Sequence, residues 1–292
     1  MNSTWSKYNK SLINRGSINF WFSKESCKKW KAKNSKKFGR PFIFSDDWIK
    51  ALLVLRFVFK LPLRQLQGFA TSLLDMQKIS AIIPHYSCMC KRAKNMANTL
   101  PKKKVTDIVF DTSGVRIYES GEWKKEKYGC HRKWRKLHVA IDLKTKEIIY
   151  SKLTSASKHD LSQIDEVMLC LNRRKGKVLI DGIADQHELY RKCEEYNKQL
   201  LTPPRKGSIM NESNETRNDA IKIIRALGGD LEAKSLWGKL TGYNQRSQIE
   251  TLFSRWKRIL GETLKSKLES TTTNEVYIKS LIMNRMMKSL YS

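Results

Sequence analysis

Apolar residues recur with a helical period in the first third of the chain and predict three helices. The stretch "FSDDWIKALLVLRFVFK" begins with Ser45 or Asp46 as an N-cap and then remains largely apolar. A second apolar stripe follows Pro62, and a third helix follows Pro84, with Ser87 as its cap and basic residues along it. Three short helices with a basic last one are typical of a helix-turn-helix-like DNA-binding region, although a plain helical bundle has the same pattern.

Near Val105 the pattern changes to strands that alternate with helices. The stretch "VTDIVFDTSGVRIY" alternates apolar and polar residues, and "KWRKLHVAIDLKTKEIIYSKLT" predicts two more strands joined at a turn. The short apolar stretches "KVLID" and "QLLTPPR" predict a fourth and a fifth strand, each preceded by a helical segment. Further helices follow. This order predicts an α/β fold in which helices flank a mixed sheet.

The two patterns divide the chain into two predicted domains. Residues 1–104 form a basic arm followed by the helical DNA-binding region. Residues 105–292 form the α/β domain, and a helical insertion around residues 205–240 precedes its final helices. We find no internal repeat and no long linker of low complexity in the chain.

The chain is strongly basic, and the excess is concentrated in the first domain. The net charge is +29. Residues 1–104 hold 22 Lys and Arg against 4 Asp and Glu, which leaves +18 of that charge in about a third of the chain. Such an excess predicts a polyanionic partner, either nucleic acid or an acidic membrane surface. On the third helix, Lys91 and Arg92 are the candidates for contacts with DNA.

No feature of the sequence predicts insertion into a membrane. The longest apolar run, "ALLVL", is five residues long and is followed by Arg56, whereas a spanning helix needs about 20 residues. The first residues, "MNSTWSKYNK", lack the apolar segment of a secretory signal. We therefore expect a cytoplasmic protein without a membrane partner.

Two aspartates follow apolar strands directly. Asp111 comes after "IVF", and Asp181 comes after "VLI". Because open α/β sheets bind ligands at the carboxyl ends of their strands, both side chains are candidates for an active site. Each aspartate could also cap a turn, since "DTSG" and "DGIAD" are good turn sequences.

A third candidate carboxylate lies in "YNQRSQIETLFSRWK". At about 100° per residue, Tyr243, Arg246, Glu250 and Lys257 fall within an arc of about 60° on one helix. The apolar residues of the stretch face the other way. Arg246 and Lys257 are candidates for phosphate contacts, although Arg246 could instead pair with Glu250. Tyr243 could stack on a base or simply begin the helix.

Three carboxylates from separate elements suit a hard divalent cation. Mg²⁺ prefers oxygen ligands, and two such ions about 4 Å apart can hold the attacking and leaving oxygens of a phosphoryl transfer. Placed acidic residues in a basic chain therefore point to chemistry on DNA strands, in which the carboxylates hold metal and the cations hold phosphates.

The spacing from Tyr243 to Lys257 matches Y-x₂-R-x₃-E-x₆-K, and the chain resembles bacterial insertion-sequence transposases of the DDE type, in particular the insertion-sequence-five family. Further similar stretches are "RGSINFW", "LPLRQLQGF", "PHYSCMCKR", "FDTSGVRIY", "WRKLHVAID", "IDGIAD" and "IKSLIMNRM". The resemblance covers nearly the whole chain. It implies a ribonuclease-H-like catalytic domain in which Asp111, Asp181 and Glu250 bind Mg²⁺ or Mn²⁺, with two ions expected.

The resemblance also implies a function and its partners. The expected activity is metal-dependent cleavage of DNA at transposon ends and strand transfer into target DNA, by a homo-oligomer assembled on terminal inverted repeats. Two alternatives remain: a catalytically silent DNA-binding descendant, and a stand-alone metal-dependent nuclease. The chain departs from the family pattern D-G-x-Y-D, because Ala184 stands before Asp185. Asp185 is therefore the alternative to Asp181 as the second ligand.

Overall fold

The computed structural model describes residues 2–33, 41–96, 100–101, 103–117, 134–210 and 214–291. Their contacts divide the chain into two compact units. The first is formed mainly by residues within 1–99 and 258–292, and the second by residues within 100–116 and 124–257. The domain boundary expected between residues 104 and 105 assigns the C-terminal residues to the second domain, and it stays a prediction.

The helices and strands follow one another in a mixed order. In chain order they are α1 (Asn2–Asn14), α2 (Ile18–Trp21), α3 (Lys24–Lys28), α4 (Asp46–Val58), α5 (Leu63–Gln77), α6 (Tyr86–Asn95), β1 (Ile108–Ile117), β2 (Trp134–Asp142), β3 (Ile148–Ser155), α7 (Ile164–Met168), β4 (Gly176–Leu179), α8 (His187–Glu195), β5 (Lys198–Leu201), α9 (Glu215–Ala226), α10 (Leu231–Thr241), α11 (Ser247–Leu260), β6 (Thr263–Leu264) and α12 (Glu269–Tyr291). None of the helices within these described residues is both long and apolar enough to cross a membrane.

The first unit is helical, as the apolar periodicity predicts. Helices α4, α5 and α6 pack against one another, and α12 packs against α4 and α6. The Ser45 hydroxyl caps α4 by accepting a hydrogen bond of 3.1 Å from the backbone N–H of Trp48. The expected cap of α6, Ser87, is wrong. The N-cap is His85, whose ring Nδ1 accepts a hydrogen bond from the Ser87 backbone N–H, because the helix begins two residues earlier than its polar residues suggest.

The first 33 residues contain more structure than an extended basic arm. Helices α2 and α3 bury Trp21 and Cys27, and Phe22 between them is also fully buried. The Trp21 indole N–H donates to the Arg15 carbonyl oxygen over 2.7 Å. These aromatic residues belong to a core rather than to a nucleic-acid surface. Residues 34–40 of the expected arm lie outside the described residues.

The second unit contains the mixed sheet. Five strands run in the order β3-β2-β1-β4-β5. The β1–β2 and β2–β3 pairs are antiparallel, and the β1–β4 and β4–β5 pairs are parallel. Helices α7 and α8 supply residues to the apolar core on one face. This arrangement confirms the predicted mixed α/β fold and is consistent with a ribonuclease-H-like domain.

Close packing fixes the start of the parallel β1–β4 pair. A Cβ on Gly176, the first residue of β4, would lie 2.5 Å from the Thr106 carbonyl oxygen, so only glycine fits there. The next backbone N–H, of Lys177, donates to the Asp107 carboxylate over 2.7 Å. Together these contacts set the register in which β4 lies beside β1.

His138 on β2 is buried in the same sheet. Its side chain is 0% exposed, and its two ring nitrogens lie 3.0 Å from the Thr112 hydroxyl and 2.8 Å from the Thr154 hydroxyl. Burial lowers the pKa of His138 although the nearby Asp160 favours the protonated ring. The imidazole is therefore neutral, and its contacts with the two hydroxyls join β1, β2 and β3.

The buried neutral ring predicts acid sensitivity of the sheet unit. Because the pKa of His138 is lower in the folded chain than in the unfolded one, its contribution to stability is complete above a pH of about 6.5 and is lost as the pH falls below it. We expect the melting temperature to fall between pH 7.5 and pH 5.5, and to fall less in His138→Gln. Equal pH dependence in wild type and His138→Gln, measured by circular dichroism, would contradict the assignment.

Candidate active site

The register of two parallel strands brings Asp111 and Asp181 together. Val109 of β1 pairs with Leu179 of β4, and each aspartate follows its paired residue by two positions. Since side chains on a strand alternate between faces, both aspartates are on the same face of the sheet. The charge of Asp181 contributes to raising the pKa of Asp111, so the two carboxylates are near each other. Ile108 and Phe110 face the core on the other side.

The turn after β4 holds Asp181 in place. Its carboxylate accepts a hydrogen bond of 3.2 Å from the Ile183 backbone N–H and so caps the short 3₁₀ turn Gly182–Ala184. The Asp181 carbonyl oxygen accepts a hydrogen bond of 2.6 Å from the Thr202 hydroxyl. Asp181 therefore caps a turn, which the sequence left open as an alternative to an active-site role. Its half-buried carboxylate is also close enough to Asp111 to affect the pKa of that residue.

The segment with the third carboxylate is not one continuous α-helix. Gly242 has a left-handed φ of 82°, which ends α10, and Tyr243–Arg246 then form a 3₁₀ turn. Helix α11 begins only at Ser247, so the single helical stripe expected from the sequence is wrong for its first residues. Glu250 lies in the first turn of α11 with an exposed side chain, as the spacing indicates. The buried side of the helix contains Ile249, Leu252, Phe253 and Trp256.

Arg246 connects two of the three carboxylates. Its Nη1 lies 3.2 Å from Oδ2 of Asp111, and its Nη2 donates a hydrogen bond to Oε1 of Glu250. The guanidinium and the Asp111 side chain are each 22% exposed, whereas the Glu250 side chain is 54% exposed. The pairing with Glu250 that the sequence left open is therefore present, and the contact with Asp111, 135 residues away, adds to it.

The charges of Asp181 and Glu250 both act on Asp111. Burial raises the pKa of Asp111, the Thr112 backbone N–H and Arg246 oppose that shift, and the charges of Asp181 and Glu250 add to it. Burial, with smaller contributions from Asp181 and Asp111, raises the pKa of Tyr243 to about 12, although Arg246 opposes the shift. Tyr243 is therefore a neutral phenol at the edge of an acidic cluster, with its ring 5.2 Å from that of Trp237.

The chemistry of the three carboxylates suits a hard divalent cation, but Arg246 contacts two of them. Carboxylate oxygens are the ligands that Mg²⁺ and Mn²⁺ prefer, and three acidic side chains supply enough charge for such an ion. Across the described part of the chain, no group of three His, Cys, Asp or Glu side chains is arranged to hold a metal ion. The Arg246 guanidinium provides the positive charge between Asp111 and Glu250 instead.

Asp185, the alternative second ligand, is committed to other contacts. Its side chain is 1% exposed and forms an ion pair with Arg217 of α9, with Nε 2.7 Å from Oδ1. Oδ2 also accepts hydrogen bonds from the Arg205 backbone N–H at 3.0 Å and the Ser208 hydroxyl at 3.3 Å. Burial would raise the pKa of Asp185, but Arg217 and these donors outweigh it and lower the pKa. Asp185 therefore fixes the chain beyond β5 to the turn that carries Asp181.

The remaining predicted site residues are a lysine of α11 and two cations of α6. Lys257 is half-buried on α11 and has no ion-pair partner among the described residues. In the other unit, Lys91 of α6 is exposed. Arg92 beside it is buried, pairs with Asp46 and donates to the Phe44 carbonyl oxygen over 2.8 Å. The DNA contacts expected of Lys91, Arg92 and Lys257 stay predictions.

Residues 103–285 match a family model described as "Transposase DDE domain", and residues 13–120 match a second model with the same description. The first match covers more than half of the 292 residues, and the chain therefore belongs to the DDE transposase family. Membership places the chain in a nuclease and transposase class of enzymes that generally use divalent metal ions. The narrower assignment to the insertion-sequence-five family is not confirmed by these matches.

The contacts of Asp185 and Asp181 predict that removing these carboxylates destabilises the fold to different extents. Asp185→Ala leaves the buried Arg217 charge without its partner, which costs about 3–5 kcal/mol of unfolding free energy. Asp181→Ala removes one capping hydrogen bond and costs about 1 kcal/mol. Urea unfolding of the two variants beside wild type measures the difference. If Asp185→Ala proves as stable as Asp181→Ala, the structural role of Asp185 is wrong.

Proposed function

We propose that this transposase cleaves DNA strands at the ends of its element and joins them to target DNA, with Asp111, Asp181 and Glu250 as its metal-binding catalytic residues. The observation that carries the proposal is the β1–β4 register, which supports two aspartates on one face of the sheet. Arg246 links Asp111 to Glu250 from a third element. Turn capping alone would not require Arg246 to join Asp111 to Glu250.

The proposed chemistry divides the residues into two groups. When bound, one or two Mg²⁺ or Mn²⁺ ions would supply charge neutralisation and an activated water or 3′-hydroxyl. The three carboxylates hold the ions, and Arg246 and Lys257 hold the phosphates on either side of the scissile bond. Lys257 lies seven residues beyond Glu250, about 10 Å along the helix axis, which is too far to join the carboxylates. Tyr243, a neutral phenol, contacts the DNA backbone or a base.

Double-stranded DNA is the proposed partner of both units. The excess of Lys and Arg within residues 1–104 supports a counterion-releasing contact with the terminal inverted repeats. We propose Lys91 as a phosphate contact of α6, with Arg92 holding that helix in place through Asp46 and Phe44. We also propose that the protein assembles as a homo-oligomer on these repeats and that it is associated with the bacterial nucleoid.

A joining assay tests the proposed activity. A duplex that carries the inverted repeat flanking this coding sequence, with a free 3′-hydroxyl, is incubated with supercoiled plasmid and Mg²⁺. We expect wild type to produce joined product, and Asp111→Asn, Asp181→Asn and Glu250→Gln each to lose about a thousandfold or more in rate while still binding the duplex. Glu188→Gln, an exposed carboxylate of α8, should join like wild type.

The same assay separates the alternatives. Nicking of the plasmid without joining would favour a stand-alone nuclease. Binding without either reaction in wild type would favour a silent DNA-binding descendant. An Asp181→Asn protein that joins at the wild-type rate would contradict the catalytic assignment.

Neighbouring cations on α6 should behave differently. Lys91→Gln removes an exposed charge, so it should weaken duplex binding and lower the slope of log affinity against log salt by about 1, with an unchanged melting temperature. Arg92→Gln removes a buried guanidinium, its ion pair with the exposed Asp46 and its hydrogen bond to the Phe44 carbonyl oxygen, so it should lower stability by about 1–3 kcal/mol. The assignment fails if Arg92→Gln keeps the wild-type melting temperature and loses as much duplex affinity as Lys91→Gln.

A further inference from the structure

We propose that Arg246 is an internal counter-ion to the carboxylates of the active site, and that a divalent cation has to displace the guanidinium from them in order to bind. The inference rests on the proposed metal site at Asp111, Asp181 and Glu250 and adds a regulation of that site. It assigns to Arg246 a role before catalysis, in addition to the phosphate contact expected of it.

The bridging geometry is the first support. One guanidinium reaches Asp111 through Nη1 and Glu250 through Nη2, so it contacts carboxylates from β1 and α11 at once. The Tyr243 hydroxyl lies against the same guanidinium. A planar group with donors on two edges suits this bridge, and an ammonium group would not reproduce it.

Charge is the second support. Asp111 is partly buried, and the charges of Asp181 and Glu250 both disfavour its ionised form. Keeping it ionised without a nearby cation is therefore costly, because like charges repel more strongly in a partly buried site. Arg246 removes much of that repulsion in the chain as it stands. A divalent cation between the same carboxylates would in turn be repelled by the guanidinium, so the two cations exclude each other.

The position of Arg246 in the chain is the third support. It is the last residue of the 3₁₀ turn Tyr243–Arg246, before α11 begins, and 22% of its side chain is exposed. The turn follows Gly242, whose left-handed backbone a residue with a Cβ rarely adopts. The side chain can therefore leave the carboxylates by changing rotamer toward solvent, without unfolding a helix. A released guanidinium is well suited to a DNA phosphate, with which it can form two parallel hydrogen bonds.

Metal affinity measured without DNA tests this exchange. Mn²⁺ binding to the full-length chain is followed by electron paramagnetic resonance and calorimetry in wild type, Arg246→Gln, Arg246→Lys and Lys257→Gln. We expect Arg246→Gln to bind Mn²⁺ about tenfold more tightly than wild type, in the usual range for coupled binding. Lys257→Gln, which removes a cation of α11 that does not contact the carboxylates, should bind Mn²⁺ like wild type.

Melting temperatures provide a second test, which also shows whether the Arg246 variants fold. Without metal, Arg246→Gln should melt at a lower temperature than wild type, and saturating Mn²⁺ should raise its melting temperature by more than it raises that of wild type. If Arg246→Gln does not fold, the test uses Arg246→Lys. An ammonium group cannot contact both carboxylates as the guanidinium does, so this variant should also bind Mn²⁺ more tightly than wild type.

The outcomes separate this inference from the proposed function. The counter-ion role alone would be wrong if both Arg246 variants bind Mn²⁺ no more tightly than wild type does. This conclusion requires that wild type binds Mn²⁺ and that Asp111→Asn abolishes the binding. An absence of Mn²⁺ binding in every variant would overturn the metal site and this inference together.

Discussion

The parallel pairing of β1 with β4 is the constraint on which the candidate site depends. Val109 lies opposite Leu179, and a shift of one residue would turn Asp111 or Asp181 toward the apolar core, because side chains alternate between the faces of a strand. Gly176 protects this register, since no side chain fits between β4 and Thr106. The packing of a glycine at one end of the strands thus decides whether two carboxylates meet at the other end.

Charge pairing divides the acidic residues around this site into two kinds. Asp185 is fully buried and satisfied by Arg217 of α9, so it connects the helical segment after β5 to the turn that carries Asp181. Asp111, Asp181 and Glu250 remain partly exposed. The Arg246 guanidinium contacts two of them, Asp111 and Glu250. A carboxylate with every oxygen committed stabilises the fold, whereas carboxylates that depend on a single displaceable cation are available for chemistry.

Local pattern was sufficient to predict most of the elements. An alternating pattern predicted β1, the next stretch predicted β2 and β3, and apolar periodicity predicted α4 and α5. Ser45 was one of two candidate caps of α4, and it is the one that forms the capping hydrogen bond. The positions of Asp111 and Asp181 after apolar strands were also readable, because the chemistry of strand ends is general. Family resemblance added the expected fold, which the mixed sheet supports.

Long-range contacts could not be predicted in the same way. The Arg246–Asp111 contact joins residues 135 positions apart, and the Asp185–Arg217 pair joins residues 32 positions apart. No local spacing encodes either contact. The 3₁₀ turn before α11 was missed because the prediction of one polar stripe assumes a continuous α-helix from Tyr243. The glycine before it, Gly242, ends α10, and the α-helix begins only at Ser247. Burial of Arg92 was missed because its partner Asp46 lies on another helix.

Anomalous diffraction from crystals grown with Mn²⁺ and a duplex carrying the inverted repeat tests the central claim most directly. The account predicts Mn²⁺ peaks about 2.1 Å from carboxylate oxygens of Asp111 and Asp181, with Glu250 turned toward the same ions and Arg246 no longer bonded to it. A peak bound instead by Asp185 would contradict the account. So would a site without Mn²⁺ at saturating concentration in which Arg246 still bridges Asp111 and Glu250.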